Sequence, residues 1–259
     1  MGDKRPSVIF FVRARVCVRA YMSLIASAVL LAAASPVFAA TDCAGLVKIA
    51  SAKSYPEAQG AMKTLTGAGP ECMEAIVTGM AAKPRAKGRF LVIAREVGDA
   101  AVPSLVDLLA RNDLSVQAGE ALLAAVSAKS YDRIPALIAC AQKPSSASVC
   151  QQALVQASSA KAKGQTDLLA GALKAKDAGL RASAALALAM IGPKASGAKE
   201  ALVAALKDRE TPVRLSAARA LGALGRKAKD AVPALQQMTQ DPDAETRHAA
   251  VEAIKSIKG

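Results

Sequence analysis

The stretch Val213-Arg-Leu-Ser-Ala-Ala-Arg-Ala-Leu-Gly-Ala-Leu224 decides how this chain of 259 residues folds. Five of its apolar residues follow the helical spacing i, i+4, i+7, i+8 and i+11 and therefore share one helix face: Val213, Ala217, Ala220, Leu221 and Leu224. Several are small, which allows a neighbouring helix to approach closely, and the following Gly225 is typical of a helix end. The stretch predicts a helix that buries one face against other helices.

The same pattern recurs along the chain with a period close to 33 residues. Leucines that begin one helix of each unit follow one another at spacings of 32, 32, 33 and 33 residues: Leu105, Leu137, Leu169, Leu202 and Leu235. A second series begins the other helix, at spacings of 33, 31, 33 and 33: Val116, Val149, Leu180, Val213 and Thr246. A single helix pair of this size cannot bury its apolar face alone. We therefore predict an all-α protein, a right-handed α-solenoid of stacked antiparallel helix pairs.

The repeat also sets the expected domain boundaries. Residues 70–259 form the solenoid, and residues 40–69 are expected to be an N-terminal helical cap because they fit the repeat poorly. Residues 1–39 resemble a signal peptide, since arginines precede an apolar stretch at 22–34 and Val37-Phe-Ala39 suits a signal peptidase. We expect cleavage after Ala39 and a periplasmic or secreted protein. Residues 22–40 are also near the minimum length of a membrane span, so an uncleaved anchor is the alternative, and either Met1 or Met22 could be the start.

Composition and charge restrict the class of partner. Apolar residues make up 53% of the chain and charged residues 21%, which is typical of a globular protein. Without residues 1–39 the chain keeps 29 Lys and Arg against 20 Asp and Glu, a net charge of about +9. Outside the cytoplasm this surplus favours acidic proteins or anionic envelope polymers over nucleic acid as partners, and a solvated basic surface without a binding role is the simpler alternative. We expect a protein or peptide partner, with an acidic one as an option, no nucleic acid, and membrane contact only through an uncleaved N-terminus.

Four cysteines remain after the expected cleavage, and an even number in an oxidising compartment suggests two disulfides. Cys140 and Cys150 flank a turn-rich linker between two helical patterns, so we expect them to pair and to join consecutive repeats. Cys43 and Cys72 are then left to pair near the mature N-terminus. The chain has no Cys-x-x-Cys motif, which argues against a thioredoxin-like redox role.

The sequence offers little for catalysis. His248 is the one histidine of the chain, which excludes multi-histidine metal centres, and the nucleophile-elbow and P-loop motifs are absent. Zinc binding by cysteines normally needs closely spaced pairs, which are also missing. We therefore expect a non-enzyme with no catalytic residues, no metal site and no cofactor.

Residues 70–258 resemble HEAT repeats, in the short form found in the phycobilisome-lyase-like group. The resemblance is strongest after residue 177, where Asp208 precedes Val213-Arg214, and where Asp241 and Arg247 follow Pro233. It implies a ladder of ion pairs between adjacent repeats, in which Asp208 pairs with Arg214 and Asp241 with Arg247. Arg181 belongs to the same series of arginines. Arg219 and His248 are left as candidates for partner binding.

These observations favour a non-catalytic, exported HEAT-repeat scaffold that binds a protein or peptide in the bacterial envelope, on a surface formed by the stacked second helices. One alternative is a lyase-like or accessory enzyme subunit that carries the same repeats. Another is a membrane-tethered organiser that keeps its N-terminal segment.

If the N-terminal segment is a signal peptide, the mature protein begins at or near Ala40. Intact-mass analysis of the protein solubilised from whole cells checks this directly. A mass that still includes residues 22–39 would contradict the prediction and favour the membrane-tethered alternative.

Overall fold

The computed structural model describes residues 41–52, 54–159 and 161–259. Within these ranges, Cys43–Gly259 forms one compact unit. The expected signal peptide at 1–39 and the alternative anchor at 22–40 lie outside the described residues. No helix in the described ranges is both long and apolar enough to span a bilayer.

The described part of the chain contains fourteen α-helices in seven consecutive pairs and no β-strand, which confirms the all-α prediction. Most pairs are joined through short 3₁₀ segments. The first helices of the pairs are α1 (Cys43–Ala50), α3 (Met73–Ala82), α5 (Val102–Leu108), α7 (Ile134–Ala141), α9 (Thr166–Ala172), α11 (Lys199–Ala205) and α13 (Val232–Met238). The second helices are α2 (Tyr55–Ala68), α4 (Lys87–Val97), α6 (Ser115–Ala125), α8 (Ala147–Ala157), α10 (Ala178–Ile191), α12 (Thr211–Leu224) and α14 (Ala244–Lys258).

The pairs stack into a solenoid. Each second helix packs on the next one, from α2 through to α14, and the first helices α1, α3, α5 and α7 follow one another in the same way. Helices α1 and α2, in the segment expected to cap the solenoid, pack on α3 and α4 and so add a seventh pair to the stack. All members of the leucine series are fully buried: Leu105, Leu137, Leu169, Leu202 and Leu235.

The second helices share one buried register, and two members of the predicted series were placed wrongly. Val116 is 67% exposed and Val149 is only partly buried. In α6 the buried series i, i+4, i+7, i+8 and i+11 begins two residues earlier: Leu114, Ala118, Ala121, Leu122 and Ala125. In α8 it begins at Ser146, three residues before Val149. Both valines are apolar, but the face that meets the next helix decides which residue is buried.

Two disulfides have the predicted pairing, Cys43–Cys72 and Cys140–Cys150. The second one joins α7 to α8 within a single pair, so the expectation that it links consecutive repeats was wrong. Cys43–Cys72 does link consecutive pairs, because it ties the start of α1 to the residue before α3. In the chain-entropy model, closing these loops of 29 and 10 residues stabilises the fold by about 3.6 and about 2.7 kcal/mol.

Glycines end four of the second helices with a backbone conformation that other residues rarely adopt. Gly225, expected from the sequence to end a helix, has φ of 57° directly after α12. Gly192 has φ of 67° directly after α10. Gly69 and Gly98, directly after α2 and α4, both have φ of 65°. A residue with a Cβ is strained at such an angle. These glycines turn the chain sharply from one pair into the next.

If the 33-residue period is the mechanical unit, removing a whole unit should harm the fold far less than removing half of one. Deleting residues 178–210 joins Asp177 to Thr211 and removes α10 and α11 together, so the second helix α12 follows α9 and equivalent faces meet. Deleting only residues 178–193 removes α10 alone, and α12 loses the helix on which it packs. Helicity and thermal unfolding of both variants, produced in an oxidising compartment, provide the measurement. Equal loss of structure in the two would contradict the repeat organisation.

Candidate functional site

Two arginines grip aspartates of the following repeat. The Arg181 Nε and Nη2 atoms donate to the two carboxylate oxygens of Asp208 at 2.7 and 2.9 Å. One repeat later, Arg214 holds Asp241 in the same way, at 2.8 and 3.1 Å. Two parallel bonds between a guanidinium and a carboxylate are strong and fix the geometry of both groups. Each pair therefore joins one second helix to the turn of the next repeat.

The third nitrogen of each arginine is bonded inside its own repeat. The Arg214 Nη1 atom donates to the backbone carbonyls of Asp208 and Arg209, both at 3.0 Å. Arg181 and Arg247 make the same kind of contact with the turns that precede α10 and α14. The pairing thus lies one repeat away from the expected register, because Arg214 meets Asp208 only through its carbonyl. These carbonyls orient the guanidinium so that its other edge faces the following repeat.

Both ladder carboxylates are held in the charged form. The bonds from Arg214 lower the pKa of Asp241, burial opposes them, and the backbone N–H of Asp243 lowers the pKa further. The bonds from Arg181 have the largest effect on Asp208 and lower its pKa, while burial raises it. The backbone N–H of Glu210 also donates to this carboxylate and lowers its pKa further. The side chains of Arg214 and Asp241 are 13% and 4% exposed. Such enclosed ion pairs serve the structure and are closed to a ligand.

The candidate binding residues Arg219 and His248 line a common groove between α12 and α14, of about 480 Å³. Arg219 donates to Glu245 at 2.6 Å across this groove, and both side chains are well exposed. Gly222 forms part of its floor, where an added Cβ would lie 3.0 Å from the Cα atom of Ala253. The two helices touch there, and the longer side chains around the contact form the walls.

A second groove on the same set of helices runs across α4, α6 and α8, with a volume of about 420 Å³. Its lining includes Arg95 from α4, Leu123 from α6 and Gln156 from α8. Arg95 is exposed and makes no ion pair within the described ranges. Sequence reasoning missed these residues, because it identified the face of each second helix that is buried and left the opposite face unassigned.

Met190 on α10 lies between the two grooves. It is 59% exposed and precedes Ala223, which lines the α12–α14 groove, by one 33-residue period. Equivalent positions of stacked repeats share a face. We call this surface, from Arg95 through Gln156 and Met190 to Arg219 and His248, the second-helix face. Because Met190 precedes Ala223 by one repeat period, the sequence alone could have predicted that the two residues lie on the same face.

The first helices form a groove of a different kind. It lies between α1 and α3, has a volume of about 580 Å³, and is lined largely by small or apolar groups, among them Ala44, Val47 and Ala75. Gly79 forms part of the lining. This groove involves one interface between neighbouring repeats, whereas the second-helix face extends over several.

The described side chains include no group of three or more His, Cys, Asp or Glu that could hold a metal ion. His248, the residue with the most versatile acid–base chemistry, faces Glu252 and Arg219 in an open groove. The nearby Glu252 is bonded to Lys255, which lowers its pKa. The arrangement provides charges and hydrogen-bonding groups for recognition.

Comparison with known proteins agrees with the repeat architecture. A family model described as HEAT repeats matches residues 199–259, which comprise α11 to α14 and the second arginine–aspartate pair. By this match, residues 199–259 consist of HEAT repeats. No curated protein is similar to it at a significant level.

Several solved structures are similar to this chain at low identity. One is an engineered protein with 24% identity and a TM-score of 0.40, covering 84% of this chain and 96% of that chain. Another is a designed armadillo repeat protein with 17% identity and a TM-score of 0.46, covering 83% and 100%. A third, with 18% identity, a TM-score of 0.38 and coverage of 84% and 100%, is titled as a designed armadillo repeat protein in complex with the peptide (KR)4.

The buried ladder predicts a pH-dependent contribution to stability. Asp241→Asn leaves Arg214 enclosed without its carboxylate and should lower the free energy of unfolding by about 3 kcal/mol at neutral pH. Because folding lowers the pKa of Asp241, the wild-type advantage is complete above about pH 4 and is lost as the pH falls through the folded-state pKa. Urea unfolding of both proteins at neutral and at acidic pH measures this difference.

Glu245→Gln is the matched control for this prediction. It breaks the exposed Arg219–Glu245 pair and should cost less than about 1 kcal/mol. The ladder interpretation would be wrong if the two variants were equally destabilised, or if the cost of Asp241→Asn stayed the same down to pH values well below the usual range of a carboxyl group.

Proposed function

We propose that this chain is a non-catalytic, exported HEAT-repeat scaffold that binds an extended segment of a partner protein along its second-helix face. The observation that carries the proposal is the pair of open grooves on this face, one across α4, α6 and α8 and one between α12 and α14. Stacked repeats present extended surfaces, so a peptide lying across successive helices can contact several of them at once.

The chemistry of the face suits a peptide. Gln156 and Arg219 offer hydrogen-bonding groups to a peptide backbone, while Leu123 and the exposed Met190 offer apolar contact. Methionine adapts its shape to different side chains and is common at surfaces that bind peptides. Bound across this face, a peptide would cover the apolar side chains and satisfy its own polar groups.

Charge suggests an acidic residue in the partner. Arg95 makes no ion pair within the described part of the chain, and it stands in the groove across α4, α6 and α8. In the other groove Arg219 is already paired with Glu245. An acidic side chain of the partner would therefore be attracted more strongly to Arg95 than to Arg219. The net charge expected for the mature chain favours the same kind of partner.

We place this activity in the bacterial envelope, in the periplasm or after secretion. The support is the signal-like sequence that ends at Ala39, together with two disulfides, which persist in oxidising compartments. A lyase-like or accessory enzyme subunit would differ in binding a chromophore or metal, which absorption spectra and metal analysis of the purified protein would reveal.

The test is selection of extended peptides from a displayed library on the purified, disulfide-bonded protein, followed by affinity measurements on variants. Arg95→Glu reverses the charge in the groove and should weaken acidic peptides by roughly tenfold or more. Arg85→Glu is the matched control, because Arg85 is also an exposed arginine but lies before α4, outside the groove. It should change the affinity by less than about twofold.

Failure of the selection to yield any peptide, or equal loss of affinity in Arg95→Glu and Arg85→Glu, would count against the proposed face. Selected peptides that bind without regard to charge, and that are weakened by Met190→Ala or Gln156→Ala, would retain the face and overturn the acidic partner.

A further inference from the structure

Four exposed lysines occupy the same place in four successive repeats. Lys129, Lys161, Lys194 and Lys227 follow one another at spacings of 32, 33 and 33 residues. Each lies five residues before the start of the next first helix, in the loop that connects consecutive pairs. Since the helices of a pair are antiparallel, all these loops lie at one end of the helices. We call this set the lysine edge.

The fold does not use these four charges. None of the four lysines makes an ion pair within the described ranges, and all are exposed. Two acids close to this edge are engaged by other residues, because Asp99 faces Arg133 at 3.9 Å and Asp230 binds Lys199 at 2.7 Å. Asp132 is the other acid of the four connecting loops. Arg181 and Arg214 of the ladder, in contrast, form ion pairs with aspartates of the next repeat.

The two ends of the helix pairs differ in charge. The four connecting loops at 126–133, 158–165, 192–198 and 225–231 contain eight Lys and Arg and two Asp and Glu, a formal charge of +6. The four turns within the corresponding pairs, at 142–146, 173–177, 206–210 and 239–243, contain five of each sign. The positive surplus of this region is therefore concentrated at the lysine edge.

The spacing of the lysines suits a long ligand. Packed helices are about 8–10 Å apart, so neighbouring lysines of the row are separated by roughly one Debye length at physiological salt. Their fields overlap along the edge, and a small anion could meet only one or two of them. The described exposed large apolar residues all lie outside these four loops. Because no large apolar side chain is exposed there for insertion into a bilayer, a linear polymer fits the row better than a membrane does.

We propose that the lysine edge binds a linear polyanion, with consecutive repeats each holding one of its anionic groups. Phosphate and carboxylate polymers share this chemistry, and either could supply the ligand. None of the four lysines is among the residues that line the two grooves of the second-helix face, although Val126 and Ser127 of the first loop do line one of them.

The experiment uses the full chain expressed with export and purified with its disulfides intact, and long-chain linear polyphosphate as the probe. The edge variant is K129Q/K161Q/K194Q/K227Q. The matched control is K143Q/K174Q/K176Q/K207Q, which removes four exposed lysines from the turns at the opposite end of the pairs. Both variants lose the same charge. Thermal unfolding verifies that both are folded, which we expect because all eight lysines are exposed.

For the wild type we expect binding that weakens with salt, with a slope of log K against log salt of about −3 if four anionic groups are held. The edge variant should bind polyphosphate roughly tenfold more weakly or worse at low salt, with a slope closer to zero. The control should stay within about threefold of the wild type. The same measurement with poly-L-glutamate shows whether the edge prefers carboxylate or phosphate groups, because the preferred polymer binds more tightly.

Three results would overturn the proposal. Equal losses in the two variants would mean that net charge alone attracts the probe. Tripolyphosphate binding as tightly as the long chain would mean that the row does not act as a whole. Tighter binding to phosphatidylglycerol vesicles than to polyphosphate of equal charge, lost in the edge variant, would assign the edge to a membrane surface.

Discussion

The apolar face of each second helix must be covered by the second helix of the next repeat, and the rest of the structure depends on this requirement. No helix pair has enough apolar surface to form a core of its own. Close packing of the stack is possible because many contact residues are small, and at Gly222 and Ala253 the backbones nearly touch. The turns and loops then repeat at both ends of the helices, where charged groups fall into rows.

Two kinds of cross-link reinforce the stack in different parts of the chain. The arginine–aspartate pairs occur between α10 and α14, where Arg181 and Arg214 each reach into the following repeat. The disulfides occur before α9, at Cys43–Cys72 and Cys140–Cys150. The preceding repeats lack the arginine: Ser115, at the start of α6, follows the buried Leu114 as Arg214 follows Val213. Of the two disulfides, Cys43–Cys72 links consecutive pairs as the ladder does, whereas Cys140–Cys150 joins the two helices of one pair.

The family match and the ladder coincide, and this has a physical basis. The matched residues 199–259 contain the motif in which an aspartate of the turn and an arginine of the second helix recur together. Arg181, in the repeat before the matched residues, belongs to the same ladder, whereas the repeats up to α8 stack without it. The second-helix face and the lysine edge extend beyond the matched region, since they depend only on stacking and on repeated positions.

The sequence by itself determined the helical class, the 33-residue period, the buried leucine series and the cysteine pairing, because each follows from residues close together in the chain. Tertiary structure alone decided that α6 buries Leu114 instead of Val116, that Asp208 binds Arg181 instead of Arg214, and that Arg95 and Gln156 share a groove. Helical periodicity describes one helix at a time. The partner of a side chain on a neighbouring repeat depends on how far and at what angle one pair is displaced on the next, and this displacement is set by packing across the whole interface.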